Sequence, residues 1–324
     1  MYGVAAAVCG MLYGFVPMDA SAQGAADYPN KRIRFLLGYP PGGATDPIAR
    51  AVGQKLSEAW KQPVVIEHRP GAATNIASEI LARSPPDGYT LFLPTVANAI
   101  NPTLYPKLSY DPLRDFAFVV NIAKVPGIVV SHPTLPVKNI KGLIALAKAQ
   151  PDALRYASPG AGSTHHLVGE LFKTATAIRM VHVPYKGAGP ALNDTVAGHV
   201  EICFGALVST LPHVRSSRLR ALGVTSLKRA SAAPDVPTLD EQGVKGFETA
   251  SWYGVVVPAG TPREIINKLN AEIVRALADP QVRNWMVGEG AEIVGDTPEQ
   301  FTVFFKTELV KWGKAVKLSG AKPD

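Results

Sequence analysis

The sequence predicts an α/β protein of about two domains, on the strength of three observations. Its 324 residues are 47% apolar and 18% charged, enough to bury more than a single core of ordinary size. Apolar, β-branched runs alternate with amphipathic helical patterns over most of the length, as successive βα units require. Two strand-like stretches, Phe116 to Ile122 and Gly127 to Val130, follow back to back around Lys124-Val125-Pro126, a candidate crossing between domains. No fixed repeat and no low-complexity tract interrupts this pattern.

Taken in order, residues 32–39 read as the first strand, followed by a glycine turn and a helix with Ile48, Val52, Leu56 and Trp60 on one face. Pro63 to Glu67 is the next strand, Ile76 to Leu81 a short helix and Tyr89 to Leu93 a third strand. Beyond the crossing come a helix from Ile140 to Ala149, a strand from Leu154 to Ala157 and a helix from Ser163 to Thr174. A strand from Met180 to Val183, a helix from Pro190 to Ala197 and strands at Val200 to Phe204 and Leu219 to Thr225 complete this series. Pro234 and Pro237 punctuate the return to a strand at Ser251 to Val257. Two long helices close the chain. Thr261-Pro262-Arg263-Glu264 and Thr297-Pro298-Glu299-Gln300 each offer Thr as N-cap, Pro at the first helical position and a capping-box partner three residues on. The first of these helices carries Ile265, Leu269, Ile273 and Leu277 on its buried face.

The N-terminus has a different character. No Lys or Arg precedes Lys31, an apolar stretch covers Val4 to Leu12, and Ala20-Ser21-Ala22 offers a cleavage pattern, so residues 1–22 read as a secretory signal peptide cut after Ala22. The stretch is too short for a membrane span of about 20 residues. Only Cys203 would remain in the mature chain beside the leader's Cys9, so no intramolecular disulfide is expected and a soluble exported protein is. The net charge of +7, from 33 basic and 26 acidic residues, is scattered in ones and twos. It favours encounter with anions, but no clustered basic helix, aromatic-basic motif or zinc-finger spacing supports nucleic acid as a partner.

Two glycine-bearing strand-to-helix turns carry the functional reading. Tyr39-Pro40-Pro41-Gly42-Gly43-Ala44-Thr45-Asp46-Pro47 puts Asp46 at the expected N-cap and Pro47 at the first helical position. Ser158-Pro159-Gly160-Ala161-Gly162-Ser163-Thr164-His165-His166 occupies the equivalent place in the second half, with Ser163 and Thr164 able to cap the helix or donate to a ligand oxygen. A helix start holds unpaired N–H groups and roughly +0.5 of a charge, which favours a carboxylate or phosphate. An anion held between two such starts gains charge-assisted hydrogen bonds of roughly 1.5–3 kcal/mol each, enough after ordering costs for micromolar affinity. The competing reading of each turn is plain capping.

Catalytic patterns are sparse. Gly160-Ala161-Gly162 lacks the third glycine and the downstream acidic residue of a dinucleotide fingerprint. No H-E-x-x-H, paired C-x-x-C, Walker A or G-x-S-x-G pattern occurs. His165 and His166 point about 100° apart on a helix and cannot share one metal. A hydrolase using Ser163 with a remote base such as His182 stays open as the alternative, without a nucleophile elbow to support it.

At these residues the chain resembles the solute-binding receptors of tripartite tricarboxylate transporter systems, the Bug family. The resemblance runs through the first glycine loop with Asp46, Gly71 to Ile76, Pro86 to Leu91, Ala99-Ile100-Asn101-Pro102 and the second loop ending in His166. It continues through Val183 to Gly187, Pro234 to Thr238, Trp252-Tyr253-Gly254 and Pro258 to Pro262. Each motif alone is weak; their order and spacing together are specific. The resemblance implies the type II periplasmic-binding-protein fold, two α/β domains with mixed sheets around a ligand cleft. It divides the chain into residues 27–125 plus 248–324 and residues 126–247, with hinges near 124–126 and 245–250. It implies a monomeric periplasmic receptor that grips a small di- or tricarboxylate, aliphatic or aromatic, and delivers it to membrane permease subunits, or serves sensing alone. No cofactor, metal or catalytic residue is implied. Gly42, Gly43, Ala44, Thr45, Asp46, Gly162, Ser163, Thr164, His165 and His166 are the expected clamp, with Tyr39, Asn98, Lys186, Trp252 and Tyr253 shaping the pocket. Ala44 stands where glycine is common, and Asn98 and His165 where the family varies.

Overall fold

The computed structural model describes residues 27–319, 321 and 322; the expected signal peptide at 1–22 lies outside them. The first half runs β1 (Ile33–Leu37), α1 (Thr45–Trp60), β2 (Val64–His68), α2 (Asn75–Ala82), β3 (Thr90–Leu93), α3 (Val96–Leu104), α4 (Pro112–Asp115) and β4 (Phe116–Ser131). Next come α5 (Ile140–Ala149), β5 (Arg155–Ser158), α6 (Thr164–Thr176), β6 (Val181–Pro184), α7 (Ala188–Val196), β7 (Ile202–Ala206), α8 (Leu207–Arg215) and β8 (Arg220–Val224). The return comprises β9 (Ala250–Pro258), α9 (Arg263–Ala278), α10 (Pro280–Gly288), β10 (Glu292–Ile293) and α11 (Pro298–Ser319).

The strands follow the order β2-β1-β3-β9-β4-β7-β5-β6, with β8 and β10 also paired to β4. β1 pairs in parallel with both β2 and β3. A parallel strand covered on both faces needs a continuous apolar run, which is why Phe35, Leu36 and Leu37 are all fully buried. On the far side β5 is parallel to β6 and β7. The mixed α/β class with two parts is therefore the one the sequence predicts.

The two stretches expected back to back are one strand of 16 residues. The first part of β4, Phe116 to Pro126, pairs antiparallel with β9, and the second, Gly127 to Ser131, with β7 and β8. The strand passes from one sheet to the other where the crossing was expected. Thr225 fastens this point: its Oγ1 accepts from Gly127 N at 2.9 Å and donates to Thr249 O at 2.7 Å. One hydroxyl thereby ties the outgoing strand to the returning one.

The helical faces behave as their periodicity requires. α1 buries Ile48, Val52 and Leu56, while Trp60 at its end is half-buried. α9 buries Ile265, Leu269, Ile273 and Leu277. Only the second of the two expected capping boxes forms: Thr297 Oγ1 accepts from Gln300 N and Gln300 Oε1 from Thr297 N. At the other, Thr261 donates instead to Pro258 O at 2.7 Å, finishing the turn after β9, and α9 begins without a side-chain cap.

Candidate ligand site

Five helix starts meet at one cleft. Gly43, Ala44 and Thr45 bring the start of α1, Thr95 that of α3, Ser163, Thr164 and His165 that of α6, Ala188 that of α7, and Ala206 with Ser209 that of α8. Tyr39, Pro159, Ser251 and Tyr253 complete the lining of this narrow cleft, whose cavity volume is ≈ 50 Å³. Among the described residues, no Lys, Arg, Asp or Glu borders it. α3 and α6 are capped by their own Thr95 and Ser163 hydroxyls, whereas α1, α7 and α8 have no side-chain cap. Their first-turn N–H groups have no intrahelical acceptor and are available to a bound anion.

Two side chains at the cleft reinforce this. Thr45 Oγ1 and His165 Nε2 are buried without a hydrogen-bond partner, and a buried unpaired polar atom costs about 1–3 kcal/mol. Burial pushes the His165 ring down to about 4, so at neutral pH it is an uncharged imidazole. Burial likewise raises the Tyr39 and Tyr253 phenols, which keeps both protonated. The cleft offers neutral donors and helix dipoles to a negative guest.

The elements facing one another across the cleft touch through glycine. A Cβ on Gly42 would sit 3.1 Å from Gly189 Cα, one on Gly43 3.3 Å from Ala188 Cβ, and one on Gly187 2.6 Å from the Pro40 ring. The first loop thus closes on the start of α7, a third glycine-bearing strand-to-helix turn. The second loop closes on a different surface: a Cβ on Gly162 would lie 2.4 Å from Leu104 and 3.5 Å from Ala73.

Of the residues expected to bind, Tyr39, Gly43, Ala44, Thr45, Ser163, Thr164, His165 and Tyr253 come together at the cleft. The others have different surroundings. Gly42 faces Gly189 across the closure. Asp46 is not the N-cap of α1, which starts two residues earlier than expected, at Thr45 after Ala44. Its carboxylate accepts from Arg50 Nε at 2.8 Å and meets His68 Nε2 at 2.7 Å, pinning α1 to the end of β2. Burial opposes its charge, yet Arg50 and His68 hold the carboxyl below the usual range. Asn98 is fully buried and caps α3, accepting from Thr95 N and donating to Ser78 Oγ. Gly162 N donates to His166 Nδ1 at 3.1 Å, so that amide serves the loop itself. Trp252 lies in the core against Phe301 and Phe305, its indole donating to Glu308.

Lys186 is exposed at an outer cavity of ≈ 630 Å³ that shares Tyr39, Pro159 and Ser163 with the inner cleft. Residues 71–74, all with positive φ, form another wall of this mouth. His182 meets Ser158 rather than Ser163, and Ser163 is occupied capping α6 through His166 N. The cleft residues that sequence reasoning missed are Thr95, Pro159, Ala188, Ala206, Ser209 and Ser251. Gly187-Ala188-Gly189-Pro190 does repeat the glycine-turn signal; Ala206 and Ser209 carry none.

Residues 48–320 match the model of the tripartite tricarboxylate transporter family receptor. This chain belongs to that family. The receptor is 36% identical over 305 residues to protein BugT of Bordetella pertussis, covering 94% of each chain. A solved structure described as a periplasmic transporter shares 40% identity at a TM-score of 0.89, covering 92% of this receptor and 100% of that chain. R. palustris Rpa4515, solved with adipate, shares 36% identity at the same TM-score of 0.89 and the same coverage of 92% and 100%.

The buried His165 and half-buried His182 imidazoles set a pH dependence. Burial, then His166 and Lys173, hold His182 down at about 3, beside His165 at about 4. As pH falls below about 6.5 the unfolded chain takes up protons at both positions before the folded receptor does. Stability is therefore expected to be full above pH 6.5 and to fall below it, by up to about 1.4 kcal/mol per pH unit for each ring. Denaturant unfolding at pH 7, 6 and 5, where most carboxylates stay ionised, measures this; equal stability at all three would contradict neutral burial.

Proposed function

We propose that the receptor is a periplasmic solute-binding protein that captures a small carboxylate, aliphatic or aromatic, and delivers it to the permease subunits of a tripartite tricarboxylate transporter. Residues 1–22 serve as its export signal, and the ligand lies between a domain of residues 27–125 plus 248–324 and a second of residues 126–247. The observation that carries the reading is the convergence of helix starts from both sheets on a cleft without a cationic side chain, where Thr45 Oγ1 and His165 Nε2 lack partners. Three uncapped starts each present partial positive charge at close range, which suits a carboxylate and leaves a cation or an apolar molecule without complement. The adipate-bound relative supports the same class of ligand. In this reading the binding residues are Tyr39, Gly43, Ala44, Thr45, Ser163, Thr164, His165, Ala188, Ser209 and Tyr253, with Lys186 at the mouth.

Titration calorimetry with adipate, malate, benzoate and neutral adipamide tests it. Stoichiometric binding of one or more of the carboxylates, with adipamide inert, is the expected result; binding of adipamide alone, or of none of the four, would overturn it. Thr45→Val keeps the shape and removes the unpaired hydroxyl. It is expected to weaken carboxylate binding about tenfold, close to 1.4 kcal/mol, while leaving the ligand-free protein at least as stable.

A further inference from the structure

Behind the second glycine loop lies a stack of three rings that the cleft does not use. His166 and His182 are parallel, with centroids 4.0 Å apart and planes 10° from coplanar. Tyr156 stacks on His182, with centroids 4.9 Å apart. Each imidazole is connected to one glycine of the loop. Gly162 N donates to His166 Nδ1 at 3.1 Å. Gly160 N donates to Ser158 Oγ at 3.2 Å, and Ser158 Oγ lies 2.7 Å from His182 Nε2. Ser158 Oγ also donates to Gly160 O at 3.2 Å, so one hydroxyl joins both backbone groups of Gly160 to the His182 ring. Gly160 and Gly162 both have positive φ, at 135° and 73°, a backbone that glycine adopts readily and leaves just as readily. Something outside the loop has to hold it.

We propose that His182 is a positioning residue of the ligand site: through Ser158 it fixes Gly160, and with His166 it sets the second loop in the conformation that presents the start of α6 to the ligand. His182 does not itself border the cleft. Its parallel partner across the β5–β6 pair is Tyr156, whose hydroxyl donates to Glu170 at 2.6 Å. Glu170 in turn is paired with Lys173 at 2.8 Å. The stack is thus anchored to α6, the helix whose N-terminus it serves. Loosening this support would widen the loop's ensemble without removing any group that contacts ligand, and a site loose by about 1 Å loses affinity steeply.

The inference rests on the carboxylate reading only for its affinity arm; its first measurement is made without ligand. His182→Phe keeps the ring stack and removes the ring nitrogen, whereas His182→Gln restores a polar group able to meet Ser158. Amide exchange of Gly160 and Gly162, followed by NMR in the ligand-free protein, is expected to accelerate about tenfold in His182→Phe and to return to native values in His182→Gln. Unchanged exchange in the Phe variant overturns the proposal. Adipate titration is expected to show about tenfold weaker binding for Phe than for Gln at equal thermal midpoints; equal affinities for the two overturn it as well. Should the Phe variant fail to fold, Ser158→Ala breaks the same chain one link earlier and is read by the same exchange rates. If the native receptor ignores adipate, malate and benzoate alike, the carboxylate reading is what fails, and the exchange result still decides the role of His182.

Discussion

Replacing Gly189 by leucine is expected to weaken carboxylate binding about 5- to 150-fold while leaving the ligand-free protein at least as stable as before. Gly189 sits in the first turn of α7 with an ordinary helical sign of φ, so a side chain there meets no backbone strain of its own. What it meets is the other side of the cleft: its Cβ would lie 3.1 Å from Pro41 O and 3.4 Å from Gly42 Cα. Both neighbours are backbone atoms and cannot rotate away. Forcing extra atoms into a closed contact costs about 1–3 kcal/mol; if capture closes the cleft about the expected hinges, that cost falls on the closed arrangement alone and becomes the stated loss of affinity. In the open arrangement that the expected hinges would give, the leucine is harmless, and loss of a helical glycine stabilises by about 0.4–1 kcal/mol. Calorimetry gives the affinity and thermal unfolding without ligand gives the stability. A Gly189→Leu variant that binds as tightly as the native protein would show that ligand capture does not need this contact.

The same contact marks where sequence reasoning stops. The alternation of strands and helices was legible because period 2 and period 3.6 are local properties, and α5 begins and ends at its expected residues. Helix α8 was not legible: it follows Ala206 without a side-chain cap and carries Pro212 inside, so neither its start nor its interior resembles a helix in isolation. The site divides along the same line. A glycine turn before a helix announces itself, which located Gly43 to Thr45 and Ser163 to His165. Ala188 and Ala206 line the cleft as helix starts, and an alanine in a sequence does not reveal that it stands at a cleft. Conversely, Asn98, Asp46 and Trp252 have conspicuous side chains, and tertiary structure spends those side chains on a cap, a tether to β2 and the core. Chemical conspicuousness and position at the cleft are separate properties, and only the fold connects them.

Trp252 shows how large that difference is in energy. Its side chain is 1% exposed and packs edge-on against Phe301, Phe304 and Phe305 of α11. Its Nε1 donates to Glu308 Oε2 at 2.9 Å, and Trp312 Nε1 donates to the same oxygen at 2.7 Å. Glu308 is itself only 6% exposed, so one buried carboxylate fastens α11 to β9 by accepting from two indoles. Trp252→Ala is expected to cost about 3–5 kcal/mol of stability, the range for emptying a core aromatic site. Glu308→Leu is expected to cost a similar amount, because it leaves two buried indole N–H groups without an acceptor, each worth about 1–3 kcal/mol. Glu308→Gln retains an acceptor oxygen and should lose less than half as much. Urea unfolding of the three variants tests the order. Carboxylate affinity, measured at a temperature where each variant is folded, should stay within about twofold of the native value, since the indole faces α11 and not the cleft. If Trp252→Ala abolished binding while stability held, the indole would belong to the ligand site after all and the core assignment would fall.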